Sequence, residues 1–366
     1  MWRVRAVGMA AVGGITSGVW AQASEAALRF FGTGQDQQDR VRIRIDDNAS
    51  GADASAPCDV GAGSFTVDFW VRGMLEDNNT PHAGGDREHW SNNWIDGNIV
   101  VDRDIWELGP GAGQRDWGIS LAGGLVRFGT GPGEGGVDLD NTIEGGRSVL
   151  DGAWHHVAVT RDAGTGRKRI YVDGALDFQS SPGASTVDIS YPNGGASQQT
   201  QWGPYIVLAA EKHDAGPNYP SFAGYLDEVR VWSRALSGTE IGEVFDLVVD
   251  AGAPGLVAAW RFEEGAGVSA SDASAAGSPA GEVIEGAPGN GEWVLAASDP
   301  MNVAPVRAPE VCPADFNGDG TANTLDVLAF LSAWAAGGVG ADFNGDGSVN
   351  TLDVLAFLSA WSAGCP

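Results

Sequence analysis

The feature that most constrains this chain is a passage written twice near its carboxyl end. Residues 314–334 read A-D-F-N-G-D-G-T-A-N-T-L-D-V-L-A-F-L-S-A-W, and residues 341–361 read A-D-F-N-G-D-G-S-V-N-T-L-D-V-L-A-F-L-S-A-W. The copies align without gaps at a 27-residue spacing and differ only at Thr321/Ser348 and Ala322/Val349. Each sets oxygen-bearing side chains at loop positions 1, 3, 5, 9 and 12, with glycine at position 6. In the first copy these are Asp315, Asn317, Asp319, Asn323 and Asp326, with Gly320; in the second they are Asp342, Asn344, Asp346, Asn350 and Asp353, with Gly347. Thr321 or Ser348 offers its backbone carbonyl at position 7. Three carboxylates drawn together by a tight turn repel one another unless a cation sits among them. With no His or Cys in the set, a hard ion is expected, and the loop length and ligand number suit Ca²⁺ better than Mg²⁺. One ion per loop makes two.

A helix is predicted after each loop. Val327, Phe330, Leu331 and Trp334 follow the i, i+3, i+4, i+7 rule, and Val354, Phe357, Leu358 and Trp361 repeat it. Two such stripes can face each other, but the module is too small to bury a sizeable core unaided. Metal binding supplies folding free energy to such a module. Cys312 and Cys365 bracket the repeat, and joining them would stabilise it by about 4 kcal/mol in the chain-entropy model. With D-x-N-x-D-G-x-x-N-x-x-D intact twice, residues 310–366 resemble a dockerin of type I, the duplicated calcium-loop-plus-helix module of bacterial surface and cellulosome-type proteins. The resemblance implies a cohesin-like or other surface receptor, met by loop positions 10 and 11. Those are Thr324-Leu325 and Thr351-Leu352, and their identity in both copies implies two equivalent docking poses. Plain helix packing is the competing role for Leu325 and Leu352.

The formal charge of −27 argues against nucleic acid or an anionic membrane surface as partner. Residues 1–23 read as a secretory signal: Arg3 and Arg5 start it, 6–19 form a short apolar core, and Ala21-Gln22-Ala23 is a small-residue cleavage site before Ser24. No span is expected after its removal, so the protein is expected to be secreted or held at the cell surface. Cys58 is then left without an intramolecular mate.

Between residues 27 and 246, short alternating stretches are separated by Gly, Asn and Asp turns. Examples are 41–45, 65–71 with Phe65, Val67, Phe69 and Val71 on the buried face, 118–121, 125–128, 154–160, 205–209 and 224–232. Asp173-Gly174 between 169–172 and 175–176 is a hairpin signal. The pattern predicts an all-β, two-sheet sandwich. The runs F-T-V-D-F-W at 65–70, D-G-A-W-H-H-V-A-V-T at 151–160, Y-V-D-G at 171–174 and F-A-G-Y-L-D-E-V-R-V-W at 222–232 resemble laminin-G-like, concanavalin A-like jelly rolls. That resemblance implies a module binding glycans or proteins, sometimes with a rim calcium ion, for which Asp36 and Asp39 are candidates.

Adjacent His155 and His156 point to opposite faces of a strand and cannot share one ion, so one packed and one exposed ring are expected. The polar, aromatic stretch 76–102 has two readings. It is either an insertion covering the sandwich edge or a ligand loop, with Trp90 and Trp94 stacking on sugars and Asn92, Asn93 and Asp96 supplying hydrogen bonds. For an enzyme the signal is weak. No E-x-D-x-x-E run is present, Asp227-Glu228 is expected to split between faces, and 102–107 lacks strand context. The stretch 255–298 looks like the start of another laminin-G-like unit too short to complete, or else adds strands to the first sandwich, and 298–309 reads as a Pro-containing spacer. The organisation expected is a signal at 1–23, a jelly roll at 24–247, appended strands and linker at 248–309, and a small α-helical double calcium-loop domain at 310–366. The function expected is non-enzymatic binding. The alternatives are a glycoside hydrolase or lyase delivered by the tail, and a structural surface component.

Overall fold

Nine residues, Phe65–Gly73, organise the larger unit, because both of their faces are buried. Phe65, Val67, Phe69 and Val71 enter the main core, as alternation predicts. Thr66, Asp68 and Trp70 on the other face are just as hidden. Trp70 is covered by Phe245, Val248, Ala304 and Val306. The computed structural model describes residues 24–32, 39–46, 55–82, 84–90, 93–104, 115–132, 140–191, 204–212, 219–284, 292–307, 312–317 and 321–363. It divides into two units, 1–307 and 308–366.

The first unit is a sandwich of two antiparallel sheets. One runs β11 (Ala175–Gln179), β10 (Arg167–Val172), β9 (His155–Asp162), β3 (Phe65–Gly73), β13 (Ala223–Trp232), β1 (Ala26–Phe31) and β17 (Glu292–Leu295), with β14 (Leu256–Trp260) also paired to β13. The other runs β15 (Ser269–Ala270), β16 (Gly281–Ile284), β2 (Arg40–Arg44), β12 (Tyr205–Leu208), β5 (Asn98–Arg103), β6 (Trp117–Ala122), β7 (Leu125–Thr130), β8 (Asn141–Ser148) and β4 (Glu88–His89). Their facing sides share one apolar core, in which Phe65 lies 5.2 Å from Trp117 and 6.0 Å from Phe128. The β10–β11 turn has Asp173 at φ 50° and Gly174 at φ 73°, the left-handed pair that matches strand twist in a two-residue hairpin.

Of the two readings of 255–298, the added strands hold: β14, β15, β16 and β17 extend both sheets of the sandwich. Two expectations need correction. The stretch 298–307 is no free spacer. Val303, Ala304 and Val306 are buried, and Arg307 pairs with Asp246 at 2.9 Å. Its apolar residues cover the outer face of β3, which would otherwise expose Trp70 to water. Residues 102–103, judged to lack strand context, close β5. The boundary read at 247/248 thus falls inside one unit.

The second unit holds α2 (Thr324–Ala335) and α3 (Thr351–Ala363). α1 is the short Gly238–Val244 helix of the sandwich unit, capped by Ser237 and Glu240. Phe330 and Phe357 stack at 4.3 Å and 9°, with Phe316 and Phe343 set edge-on at 5.3 and 5.4 Å to complete a four-ring core. No helix among the described residues is long and apolar enough to cross a membrane.

Candidate functional site

In the helical unit each loop is tied to its helix by its last acid. Asn323 and Asn350 are helix N-caps whose Oδ1 accepts from the N–H of Leu325 (2.7 Å) and Leu352 (2.8 Å). Asp326 and Asp353, at loop position 12, accept in return from the N–H of Asn323 (2.8 Å) and Asn350 (2.7 Å). Their other oxygens accept from Asn317 (3.0 Å) and Asn344 (3.1 Å). The peptide donors, led by Asn323 and Asn350 respectively, hold both carboxyls below the usual carboxylate range. Each helix also braces its twin. Trp334 Nε1 donates to Asn350 O at 2.7 Å, and Trp361 Nε1 donates to Asn323 O at 3.0 Å.

The second loop curls inward around its own peptide groups. Asp346 N–H reaches Asp342 Oδ1 (3.1 Å) and Asn344 Oδ1 (2.9 Å), and Gly347 N–H reaches Asp342 Oδ2 (2.8 Å). Gly347 stands at φ 85°, where a side chain would be strained. Ser348 O, the position-7 carbonyl, accepts from Asn350 Nδ2 at 3.0 Å. In the first loop Thr321 O likewise accepts from Asn323 Nδ2 at 2.9 Å, and Asp319 lies outside the described residues. The oxygen-only donor set of Asp342, Asn344, Asp346 and Ser348 fits a hard cation. Among the described residues no three acidic, His or Cys side chains gather closely enough to hold a metal. Asp353 gives both oxygens to peptide N–H groups instead.

The helix stripe needs a correction. Phe330 and Phe357 are buried, but Leu331 and Leu358 face solvent. Leu325 and Leu352 do so as well, at 57% and 55% exposure, which removes plain packing as their role within this unit. Cys365 lies outside the described residues, and with it the Cys312–Cys365 pairing. Cys58 is a buried free thiol.

In the sandwich unit the ligand-loop reading of 76–102 loses Trp94 as a stacking surface. Trp94 is fully buried. Its indole lies on Gly118 of β6 and Gly129 of β7, where an added Cβ at either glycine would overlap the ring. The chain thus covers this face with its own tryptophan. Trp90 is 54% exposed and Asp96 is exposed; Asn92 lies outside the described residues, and Asn93 opens a short 3-10 turn. The same stretch contributes β4, which pairs with β8 at the sheet edge, as the edge-covering reading expects. Of the rim candidates, Asp36 lies outside the described residues, and buried Asp39 accepts from Phe31 N–H at 2.9 Å.

The histidine pair divides between faces, but His155 is half-buried rather than exposed. His156 is buried with Nε2 3.1 Å from Asp68 Oδ1, and burial pushes its pKa down. His155 is half-buried between Asp173 (3.0 Å) and Asp151 (3.2 Å), and Asp173 first of all raises its pKa. Asp227 and Glu228, by contrast, are both buried: β13 carries a register shift there, and Glu228 stands at φ 48°. Sequence reading also missed a buried set on β7 and β8. Glu144 holds Arg127 at 2.8 Å and His82 at 2.7 Å, and nothing in residue spacing announces it. Another missed acid is Asp116, whose pKa burial, then Asp104 and Asp140, push up to about 8.

A family model described as the concanavalin A-like lectin/glucanases superfamily matches residues 46–242. The chain belongs to that superfamily through its sandwich unit. Over 116 residues it is 32% identical to the Rattus norvegicus "Sushi, von Willebrand factor type A, EGF and pentraxin domain-containing protein 1", covering 31% of this chain and 3% of that relative. The chain therefore spans a small fraction of the curated relatives it matches. Among solved structures, a heptameric SAP-like pentraxin from Limulus polyphemus aligns with TM-score 0.39 and 14% identity over 60% of this chain and 82% of its own. Mouse laminin alpha1 domains LG4-5 align with TM-score 0.34 and 13% identity, over 62% of this chain and 48% of theirs.

Proposed function

We propose that this chain is an exported, non-enzymatic binding protein. Its sandwich would recognise a glycan or protein, and its helical unit would hold two Ca²⁺ ions and attach it to a cohesin-like or other surface receptor. Asp315, Asn317, Asp319, Thr321, Asn323 and Asp326 are the proposed ligands of one ion, and Asp342, Asn344, Asp346, Ser348, Asn350 and Asp353 of the other. A bound ion there would neutralise the acids and stiffen each loop against its helix. A Cys312–Cys365 bridge would close the ends of the same unit.

One observation carries the docking reading. Six leucines of the tail are exposed in matched pairs: Leu325/Leu352 at 57% and 55%, Leu328/Leu355 at 61% and 64%, and Leu331/Leu358 at 38% and 39%. Apolar side chains repeated at equivalent places on both helices, beside Thr324 and Thr351, suit a partner that can bind in either of two orientations. The test is capture of a purified cohesin by the full chain, with and without a calcium chelator. Capture should be lost with chelator and with paired Leu325→Asp and Leu352→Asp, while either single change leaves the other pose working. Capture indifferent to calcium and to the paired change would defeat the reading. For the sandwich, glycan-array binding lowered by Trp90→Ala is expected, and turnover of a polysaccharide by the purified chain would replace binding with catalysis.

A further inference from the structure

We infer that the fold contains a receptor for its own new amino terminus: once residues 1–23 are removed, the α-ammonium of Ser24 enters a carboxylate pocket formed by Asp227 and Glu263. The inference rests on the reading that the chain is exported and cut before Ser24. Hydrolysis of the Ala23–Ser24 bond by a leader-cleaving protease consumes one water. It leaves a carboxylate on Ala23 and an ammonium on Ser24.

The geometry is already set for that group. Ser24 is buried, and its Oγ donates to Asp227 Oδ2 at 2.9 Å. The α-nitrogen of a serine lies about 3 Å from its own Oγ, which places it within about 6 Å of that carboxylate. The neighbouring Glu25 N–H donates to Glu263 Oε2 at 2.9 Å, and Glu263 Oε1 lies 3.7 Å from the Arg261 guanidinium. Asp227 also collects the N–H of Ala304 at 2.9 Å, so one carboxylate joins the start of β1 to the segment that closes the sandwich unit.

Charge is what the pocket lacks. Asp227, Glu228 and Glu263 stand together, and Arg261 is the one cation paired with them among the described residues, at 2.8 Å from Glu228 and 3.7 Å from Glu263. Arg230 lies nearby but is held 2.5 Å from Asp68. Asp227 is thus left with neutral donors only. Burial, then Glu228, push its pKa well above the carboxylate range, and burial raises Glu263 as well. A second cation would relieve both, and a peptide nitrogen at Ser24 cannot provide it.

The test compares two chains spanning 24–366, one with a free Ser24 amine and one N-acetylated. At pH 7 the free form should melt roughly 3–6 °C higher. Held near carboxylates, the amine titrates above its ordinary value of about 8. The gap therefore closes as pH rises through the folded value of the amine, and it also fades at acid pH as Asp227 and Glu263 take up protons. It should vanish in Asp227→Asn with Glu263→Gln, a comparison that needs only the difference between the two forms. Equal melting at pH 7, or a gap surviving both substitutions, would overturn the inference. Mass spectrometry of the naturally secreted chain separately decides the export reading, since a terminus other than Ser24 sinks the cleavage site without touching the pocket measurement.

Discussion

Trp94 and its two glycines allow a sharp test of how the sandwich covers its own face. Burying a tryptophan removes about 150–250 Å² from water, worth roughly 4–6 kcal/mol at 25 cal/mol/Å². Its Nε1–H has no hydrogen-bond partner, which offsets about 1–3 kcal/mol of that gain. Trp94→Ala should therefore cost roughly 3 kcal/mol and lower the melting temperature of this unit by about 6–12 °C. Gly118 and Gly129 do not stand at positive φ, so their lack of a side chain is a matter of space. An added Cβ at Gly129 would overlap the indole, and Gly129→Ala alone should cost about 1–3 kcal/mol through overpacking. In the Trp94→Ala background the same change should cost close to nothing, because the space is open. Urea unfolding of the four proteins gives the coupling energy, expected at about 1–3 kcal/mol. If Gly129→Ala cost as much without Trp94 as with it, the reasoning would be wrong.

Other consequences can be checked alongside. Adding calcium at about a hundredfold excess over its dissociation constant should stabilise the helical unit by about 2.7 kcal/mol for each site filled. In calorimetry of the full chain, Asp342→Asn with Asp315→Asn should remove that gain, and a calcium-insensitive trace would refute the metal reading. His155, with its pKa raised in the fold, contributes stability that is complete below about pH 6.5 and fades as pH rises through the folded value. The melting difference between the native chain and His155→Gln should shrink accordingly, and a difference constant from pH 5 to 9 would exclude the link. Cys58, its thiol pushed up to about 12 chiefly by burial, should resist a disulfide reagent until denaturant is added; rapid labelling of the folded chain would contradict its placement.

Much of this was legible in advance where local pattern and final environment agree. The buried face of 65–71, the Asp173-Gly174 turn and the start of both tail helices all follow from side-chain period or from the φ that a residue tolerates. Trp94 was not legible: an aromatic residue in a polar stretch looks the same whether it waits for a sugar or lies on glycines from two later strands. Leu331 and Leu358 misled for a related reason. A 3.6-residue stripe tells which residues share a side of a helix, but the stacked Phe330–Phe357 pair narrows the contact and leaves those leucines outside.

By itself the amino-acid order determined the strand-rich body, the two oxygen-bearing loops and the helices they cap, since each depends on groups only a few residues apart. Tertiary structure alone decided that 255–307 completes the sandwich, that Asp68 lies beneath a cover, and that Ser24 meets Asp227 across 203 positions. Those outcomes depend on which surfaces exclude water together, and burial is a property of the assembled sheets rather than of any segment.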